Sequence, residues 1–85
     1  MTTTLMYFAW IKERIGKGEE DVSLPDDVIT VDDLITWLVA RGNNYAHAFE
    51  DREVVRAAID QEFADPGDPI AGAREIAFFP PVTGG

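Results

Sequence analysis

Cysteine is absent from this chain of 85 residues, and histidine occurs only once, at position 47. Without cysteine the chain has no disulfide, no thiolate zinc site and no redox-active thiol. His47 lies between two alanines in a segment that we expect to be a loop, where a solvated histidine is a simpler interpretation than a metal ligand or a base. We therefore expect no metal site and no bound cofactor.

The sequence is also poor in positive charge and in long apolar runs. Sixteen acidic residues outnumber seven basic ones, and the formal net charge is −9. Such a surface repels phosphate backbones and anionic headgroups, so neither nucleic acid nor membrane is an expected partner. No apolar run approaches the roughly 20 residues that span a bilayer, and the first residues lack the basic start of a secretory signal. We expect a cytoplasmic protein whose partners present basic surfaces.

Familiar catalytic patterns are missing as well. Asp32-Asp33 looks like a pair of catalytic carboxylates, but helix capping explains it better. The aspartates between positions 60 and 68 lack the spacing of an EF-hand, and the glycines at 16 and 18 lack the frame of a P-loop. A chain of this length forms one domain with a modest core. We predict that it has no active site of its own.

Apolar spacing along the chain predicts an α+β domain. The helix is predicted by Thr30 as N-cap, Asp33 as its capping-box partner and Gly42 as the residue after its end. Residues 43–52 are expected to form a loop, with a possible helical turn around 45–49. The predicted elements are, in order, strands at 5–11 and 22–24, the helix after Thr30, and strands at 54–59, 62–64 and 75–79.

A parallel pairing of the first and last strands at the sheet centre would accommodate this order. The predicted core contains Leu5, Tyr7, Ile11, Val22, Leu34, Leu38, Val55, Ile59, Ile76 and Phe78. The opposite face is expected to be solvated, because Glu75 shares it with Ala77 and Phe79. Phe8, with Trp10, and Phe63 are also expected there, beside the exit of the tail. Exposed phenylalanines are typical of a partner surface, and the alternative is a small apolar cluster under the loops.

The chain ends on a stiff neck, formed by Pro80 and Pro81, and on a tail of small residues. Pro80 and Pro81 lack N–H groups, so the last strand must stop before them, and they belong to the predicted partner-binding surface. The four residues 82–85 could extend about 13 Å, and Gly84 and Gly85 have no Cβ to prevent entry into a narrow channel. We expect domain 1–81 to present a flexible tail made of Val82, Thr83, Gly84 and Gly85, whose reactive group is the Gly85 carboxylate. The alternative is an inert, frayed terminus.

A known family shares this ending. The sequence Phe78-Phe79-Pro80-Pro81-Val82-Thr83-Gly84-Gly85, together with Lys12-Glu13-Arg14-Ile15-Gly16 after the first strand and Ala57-Ala58-Ile59-Asp60-Gln61, resembles the small subunits of molybdopterin synthase over nearly the whole chain. A terminal Gly-Gly is common to all ubiquitin-like carriers, whereas the sequence Phe-Pro-Pro-Val before it is much more specific to this subfamily. Asp60 stands where asparagine is usual, and the segment 62–68 is unusually acidic. The resemblance implies a ubiquitin-like β-grasp fold, with a mixed sheet of four to five strands on one main helix.

The resemblance also implies what the tail does. A separate adenylating enzyme would activate the Gly85 carboxylate with ATP, and a sulfur donor protein would help to convert the adenylate into a thiocarboxylate. The tail would then enter the large subunit of molybdopterin synthase, where its sulfur would attack cyclic pyranopterin monophosphate on the way to the molybdopterin dithiolene. The family implies a heterotetramer of two small and two large subunits, in which this chain is the non-catalytic, sulfur-donating subunit.

Three other functions remain open at this stage. The chain could carry sulfur for thiamine synthesis or tRNA thiolation, although the Phe-Pro-Pro neck argues against this. It could be a ubiquitin-like modifier that forms isopeptide bonds to lysines. It could also be a plain interaction domain with an inert tail.

Overall fold

The computed structural model describes residues 2–81, so the tail residues Val82, Thr83, Gly84 and Gly85 lie outside the described part. The division into a domain at 1–81 and a flexible tail at 82–85 therefore stays a prediction. The described residues form five strands, three α-helices and one 3₁₀ turn. In chain order these are β1 (Thr3–Tyr7), α1 (Ala9–Ile15), β2 (Glu19–Val22), α2 (Val31–Val39), α3 (Asn43–Ala48), the 3₁₀ turn (Arg52–Val54), β3 (Arg56–Ile59), β4 (Glu62–Ala64) and β5 (Glu75–Phe79).

The strands form one mixed sheet in the order β2-β1-β5-β3-β4. β1 and β5 run parallel, with Leu5 opposite Ile76 and Tyr7 opposite Phe78. The other three pairings are antiparallel. One face of this sheet shares a single apolar core with buried residues of all three helices. The predicted α+β fold with parallel first and last strands is thus confirmed, with five strands and with two helices besides the main one.

The first strand is shorter than predicted, because the apolar run continues from a strand into a helix. β1 ends at Tyr7, and Ala9 has a φ of 53°, which turns the backbone away from the sheet. The Phe8 carbonyl then accepts the N–H of Ile11 at 3.2 Å, which begins α1. The helix puts Ile11 and Ile15 on one side, and both are buried in the core. The prediction of a strand through residues 8–11, with Trp10 on the sheet, was therefore wrong.

Two other strands begin or end at residues that differ from the predicted ones. β2 spans Glu19–Val22 and so begins three residues earlier than the predicted strand at 22–24, because Glu19 lies opposite Met6 in the sheet. Leu24, predicted in that strand, lies outside it. β3 begins at Arg56, since the preceding residues 52–54 form the 3₁₀ turn. Strand limits depend on such neighbours, which spacing along the chain does not reveal.

α2 begins as the sequence predicts. The Asp33 N–H donates to Thr30 Oγ1 and the Thr30 N–H donates to Asp33 Oδ2, both at 3.1 Å, so the capping box is complete. The end of the helix differs from the prediction. Gly42 has an extended φ of 170° and precedes α3, so it is not a left-handed residue that terminates α2. Residues 43–48 form a helix and not a loop, because Tyr45 and Ala48 are buried on its inner side.

The core is centred on Phe78, which is fully buried. Its ring is stacked 6.3 Å from the Tyr7 ring and meets the Phe49 ring edge-on at 5.2 Å. All of the predicted core residues are buried except Ile59, which is half-buried. The core also includes eight buried residues outside the predicted set: Ile15, Val31, Ile35, Tyr45, Ala48, Phe49, Ala57 and Ile70.

One carboxylate links the edge of the sheet to the helices. Glu20, with a side chain that is 11% exposed, accepts hydrogen bonds from the hydroxyls of Tyr7 at 2.8 Å and Tyr45 at 2.6 Å. Arg41 lies 3.2 Å and Lys17 lies 3.5 Å from its other oxygen. Burial alone would raise the pKa of Glu20, but the hydrogen bonds and cations outweigh it, so the pKa lies below its usual value. Burial and the bond to Glu20 raise the pKa of both tyrosines.

We expect Glu20→Gln to lower the free energy of unfolding by roughly 1–3 kcal/mol at pH 7, because the tyrosines lose a charged acceptor. Since the folded-state pKa of Glu20 is depressed, its stabilisation is complete above the unfolded-state pKa and disappears as the pH falls through the folded-state value. The difference between parent and variant should therefore shrink in acid. Urea titrations across this range measure it, and a difference that is independent of pH would contradict a role for the charge.

Candidate functional site

The face of the sheet opposite the helices carries an apolar patch. Met6 lies opposite Ala77, Ala77 opposite Ala58, and Ala58 opposite Phe63, which makes one apolar row across four strands. Phe8 and Phe79 extend this surface at one end. We call the surface formed by these six residues the open face. Its breadth and its aromatic content make it suited to binding another protein.

The three predicted surface phenylalanines lie on this open face. Phe63 is 83% exposed and Phe8 is 44% exposed. Phe79 is half-buried, with its ring 5.8 Å from that of Phe63. The Phe8 N–H donates to the Phe78 carbonyl at 3.1 Å, so Phe8 lies beside the end of β5. Their role in partner binding stays a prediction. One detail was wrong, because Ala77 is only 9% exposed on the face predicted to be solvated.

The neck begins where the central strand ends. β5 pairs with β1 up to Phe78 and with β3 up to Phe79. Pro80 and Pro81 follow, both half-buried. Since proline has no N–H to donate, the pairing cannot continue on either side. The chain therefore leaves the sheet from its middle, next to Phe8 and Phe79. The predicted carrier residues, Val82 to Gly85, follow this point and lie outside the described residues.

A tight turn at the other end of the sheet accounts for the unusual Asp60. Asp60 and Gln61 both have positive φ, at 48° and 72°, between β3 and β4. Asp60 Oδ1 accepts the N–H groups of Arg74 and Glu75, each at 3.0 Å. Aspartate tolerates this backbone conformation and can accept both bonds with one oxygen. The departure from asparagine therefore preserves the turn, which lies at the opposite end of the β3–β5 pair from Phe79.

One of the described cavities has an ion pair at its rim. A cavity of about 270 Å³ lies between α2 and β3, and at its rim Arg52 donates to Asp32 at 2.9 Å. His47 is exposed in α3, and its backbone carbonyl accepts from Arg14. In residues 2–81, no group of His, Asp and Glu side chains is arranged to hold a metal ion. No helix in that part of the chain has the length and apolar character needed to cross a membrane.

The sheet, its parallel central pair and the helix packed across it define a ubiquitin-like β-grasp protein. The crystal structure of the Haloferax volcanii small archaeal modifier protein 1 is similar, with a TM-score of 0.72, 27% identity, and coverage of 95% of this chain and 98% of that one. The chain belongs to the ThiS family, whose model matches residues 5–85.

Relatives of similar length align with nearly the whole chain. The molybdopterin synthase sulfur carrier subunit of Escherichia coli K12 is 35% identical over 81 residues, covering 95% of this chain and 96% of the relative. The protein of the same name from Caenorhabditis elegans is 32% identical over 83 residues, covering 95% and 94%. The family resemblance found in the sequence is thus confirmed.

Opposite sides of the sheet should respond differently to the same substitution. We expect Phe78→Ala to lower the free energy of unfolding by about 3–5 kcal/mol, because it leaves a cavity in the core. Phe63→Ala should change it by no more than about 0.5 kcal/mol, because this side chain is mostly in water. Urea denaturation of both variants measures the contrast. A large loss for Phe63→Ala would mean that the open face supports the fold.

Proposed function

We propose that this chain is the sulfur carrier subunit of a molybdopterin synthase. The observation that carries the proposal is the similarity, over nearly their full lengths, to subunits that bear this name in a bacterium and a nematode. The ThiS family match, which runs through Gly85, agrees with it. The cytoplasmic location expected from the sequence remains a prediction.

The proposed chemistry is located on the last residue. A carboxylate is a poor electrophile, so an adenylating partner joins the Gly85 carboxylate to AMP from ATP and releases pyrophosphate. Sulfur supplied by a donor protein then displaces AMP and leaves a thiocarboxylate. Sulfur is a stronger nucleophile than oxygen, and it attacks cyclic pyranopterin monophosphate in the large subunit to form a thioester. Water then cleaves the bond between sulfur and the Gly85 carbonyl carbon, which leaves the sulfur on the pterin and regenerates the carboxylate. Two such deliveries supply the two sulfurs of the molybdopterin dithiolene.

The described residues supply a surface and a stiff neck for this task. In the proposal, Phe8, Phe63 and Phe79 bind the large subunit, while Pro80 and Pro81 aim the tail into its channel. Val82 and Thr83 then span the channel, and Gly84 allows it to be narrow. Acid–base groups and contacts to the pterin belong to the large subunit, so the chain donates sulfur without an active site of its own.

A modifier function is the alternative that a specific observation favours. The similar Haloferax volcanii structure is that of a small archaeal modifier protein. In that case the activated Gly85 carboxylate forms an amide with a lysine of a target protein. Immunoblots of cells expressing a tagged chain separate the two functions, because a modifier gives a ladder of conjugates. A carrier for thiamine or tRNA thiolation is distinguished by the absence of a pterin-binding partner when the chain is purified from its host.

Blocking the carboxylate should abolish sulfur loading. A residue added after Gly85 converts the acid into an amide, which cannot be adenylated. Gly84→Val should also prevent activity, because a β-branched side chain obstructs a channel shaped for backbone. Intact mass spectrometry after coexpression with the adenylating enzyme reports the exchange of oxygen for sulfur. Loading that persists in the extended chain would overturn the proposal, since there is no cysteine to carry the sulfur.

Removing an aromatic side chain from the open face should weaken binding without weakening the fold. We expect Phe79→Ala to cost at least about 2 kcal/mol of binding free energy to the large subunit, as truncated aromatic anchors typically do. Ile29→Ala is the matched control, because Ile29 is also apolar and 58% exposed but does not belong to the open face. Calorimetry measures both affinities. Equal affinities for the two variants would exclude the open face as the docking surface.

A further inference from the structure

An arginine, Arg56, adjoins the open face at the end of the sheet where the neck begins. In β3, Val55 and Ala57 are buried, so the alternating strand directs Arg56 and Ala58 to the outer side. Arg56 is directly opposite Phe79 in the β3–β5 ladder. Glu75, which shares the outer side of β5, is at the other end of that strand. At the end of the sheet next to the neck, the outward residues are therefore Phe8, just after β1, Phe79 in β5 and Arg56 in β3.

Arg56 has no carboxylate partner among residues 2–81. The four ion pairs of that part of the chain use Arg14, Lys17, Arg41 and Arg52. Arg56 donates from Nη1 to the backbone carbonyl of Glu53 at 3.0 Å. A guanidinium group has five N–H donors in a planar fork, so most of its binding capacity is unused. The chain has sixteen acidic residues, and this arginine is nevertheless without one of them in the described structure.

Docking would change the surroundings of this arginine. If Phe79 is buried against the large subunit, the residue directly opposite it in the ladder is covered as well. A cation that loses water without gaining a partner is strongly unfavourable. The Glu53 carbonyl occupies one of the five N–H groups, so we expect the bound state to offer the guanidinium a negative group. Arginine binds a carboxylate with two parallel hydrogen bonds, which also fixes the relative orientation of the two proteins.

We propose that Arg56 binds an aspartate or glutamate of the large subunit and sets the orientation in which the open face docks. This inference rests on the proposed function and adds a chemical requirement to it. A chain of net charge −9 selects a basic partner surface, but at the position facing Arg56 that surface carries an acid. An acid at this one position of a basic surface disfavours complexes in which the two proteins are rotated relative to each other, because these would place Arg56 against a cation. The correct rotation aligns the neck with the channel.

The test compares two charge reversals that are equal in net charge. Arg56→Glu and Arg74→Glu each make the chain two units more negative. Arg74 is also exposed and without an ion pair among the described residues, but it lies in the turn before β5, at the far end of the sheet. Surface plasmon resonance with the large subunit from the same organism gives both rate constants. Thermal melting of each variant checks that it is folded.

We expect Arg56→Glu to weaken binding by roughly 30-fold or more, mainly through faster dissociation. Arg74→Glu should change the affinity by less than about threefold, through the association rate. Arg56→Gln should fall between the parent and Arg56→Glu. Changing acidic surface residues of the large subunit to lysine, one at a time, should yield one variant that binds Arg56→Glu better than the parent chain.

Two results would overturn the inference. One is equal affinity of the Arg56→Glu and Arg74→Glu chains, and the other is the failure of every charge reversal on the large subunit to restore binding. Phe79→Ala separates this inference from the proposed function. If Phe79→Ala is impaired while Arg56→Glu is not, the open face still docks and only the carboxylate partner is wrong. If neither is impaired, the docking surface itself is wrong.

Discussion

The parallel pairing of β1 with β5 is the constraint on which the rest of the molecule depends. It joins strands separated by most of the chain, with Leu5 opposite Ile76, and puts both in the interior of the sheet. The residues between them must therefore form the other three strands of the sheet and its helical cover. As a consequence, β5 is held on both sides by neighbours, by β1 and by β3. The strand that leads into the neck is one of the best-anchored parts of the sheet, so the tail begins from a well-defined point and direction.

Adjacent phenylalanines at the end of β5 separate folding from binding. Phe78 points inward between Tyr7 and Phe49, while Phe79 points outward beside Phe63. Because successive side chains of a strand point to opposite faces, two neighbouring residues of the same type can have unrelated functions. The outer surface can therefore change to fit a partner without a cost to the core. The strand register, in contrast, cannot change freely. A shift by one residue would exchange the inner and outer faces of the strand.

Local chemistry made some of this architecture predictable from the sequence. The capping box of Thr30 and Asp33 is a contact within four residues, and two prolines end a strand whatever surrounds them. The errors arose where distant neighbours decide. The run after Leu5 is equally apolar as a strand or a helix, and only the packing of Ile11 and Ile15 against the core selects the helix. Arg56 gave no signal in the sequence, because its position opposite Phe79 depends on the register of β3 with β5.

The same parallel pairing has a practical consequence for handling the protein. Since β1 and β5 run in one direction, Thr3 at the start of β1 lies at the far end of the sheet from Phe79. A label or linker attached ahead of Thr3 would project from the side opposite the neck. Immobilised through that end, the molecule would orient its open face and neck towards solution. A sensor surface coated in this way would present every copy to a partner in the same orientation.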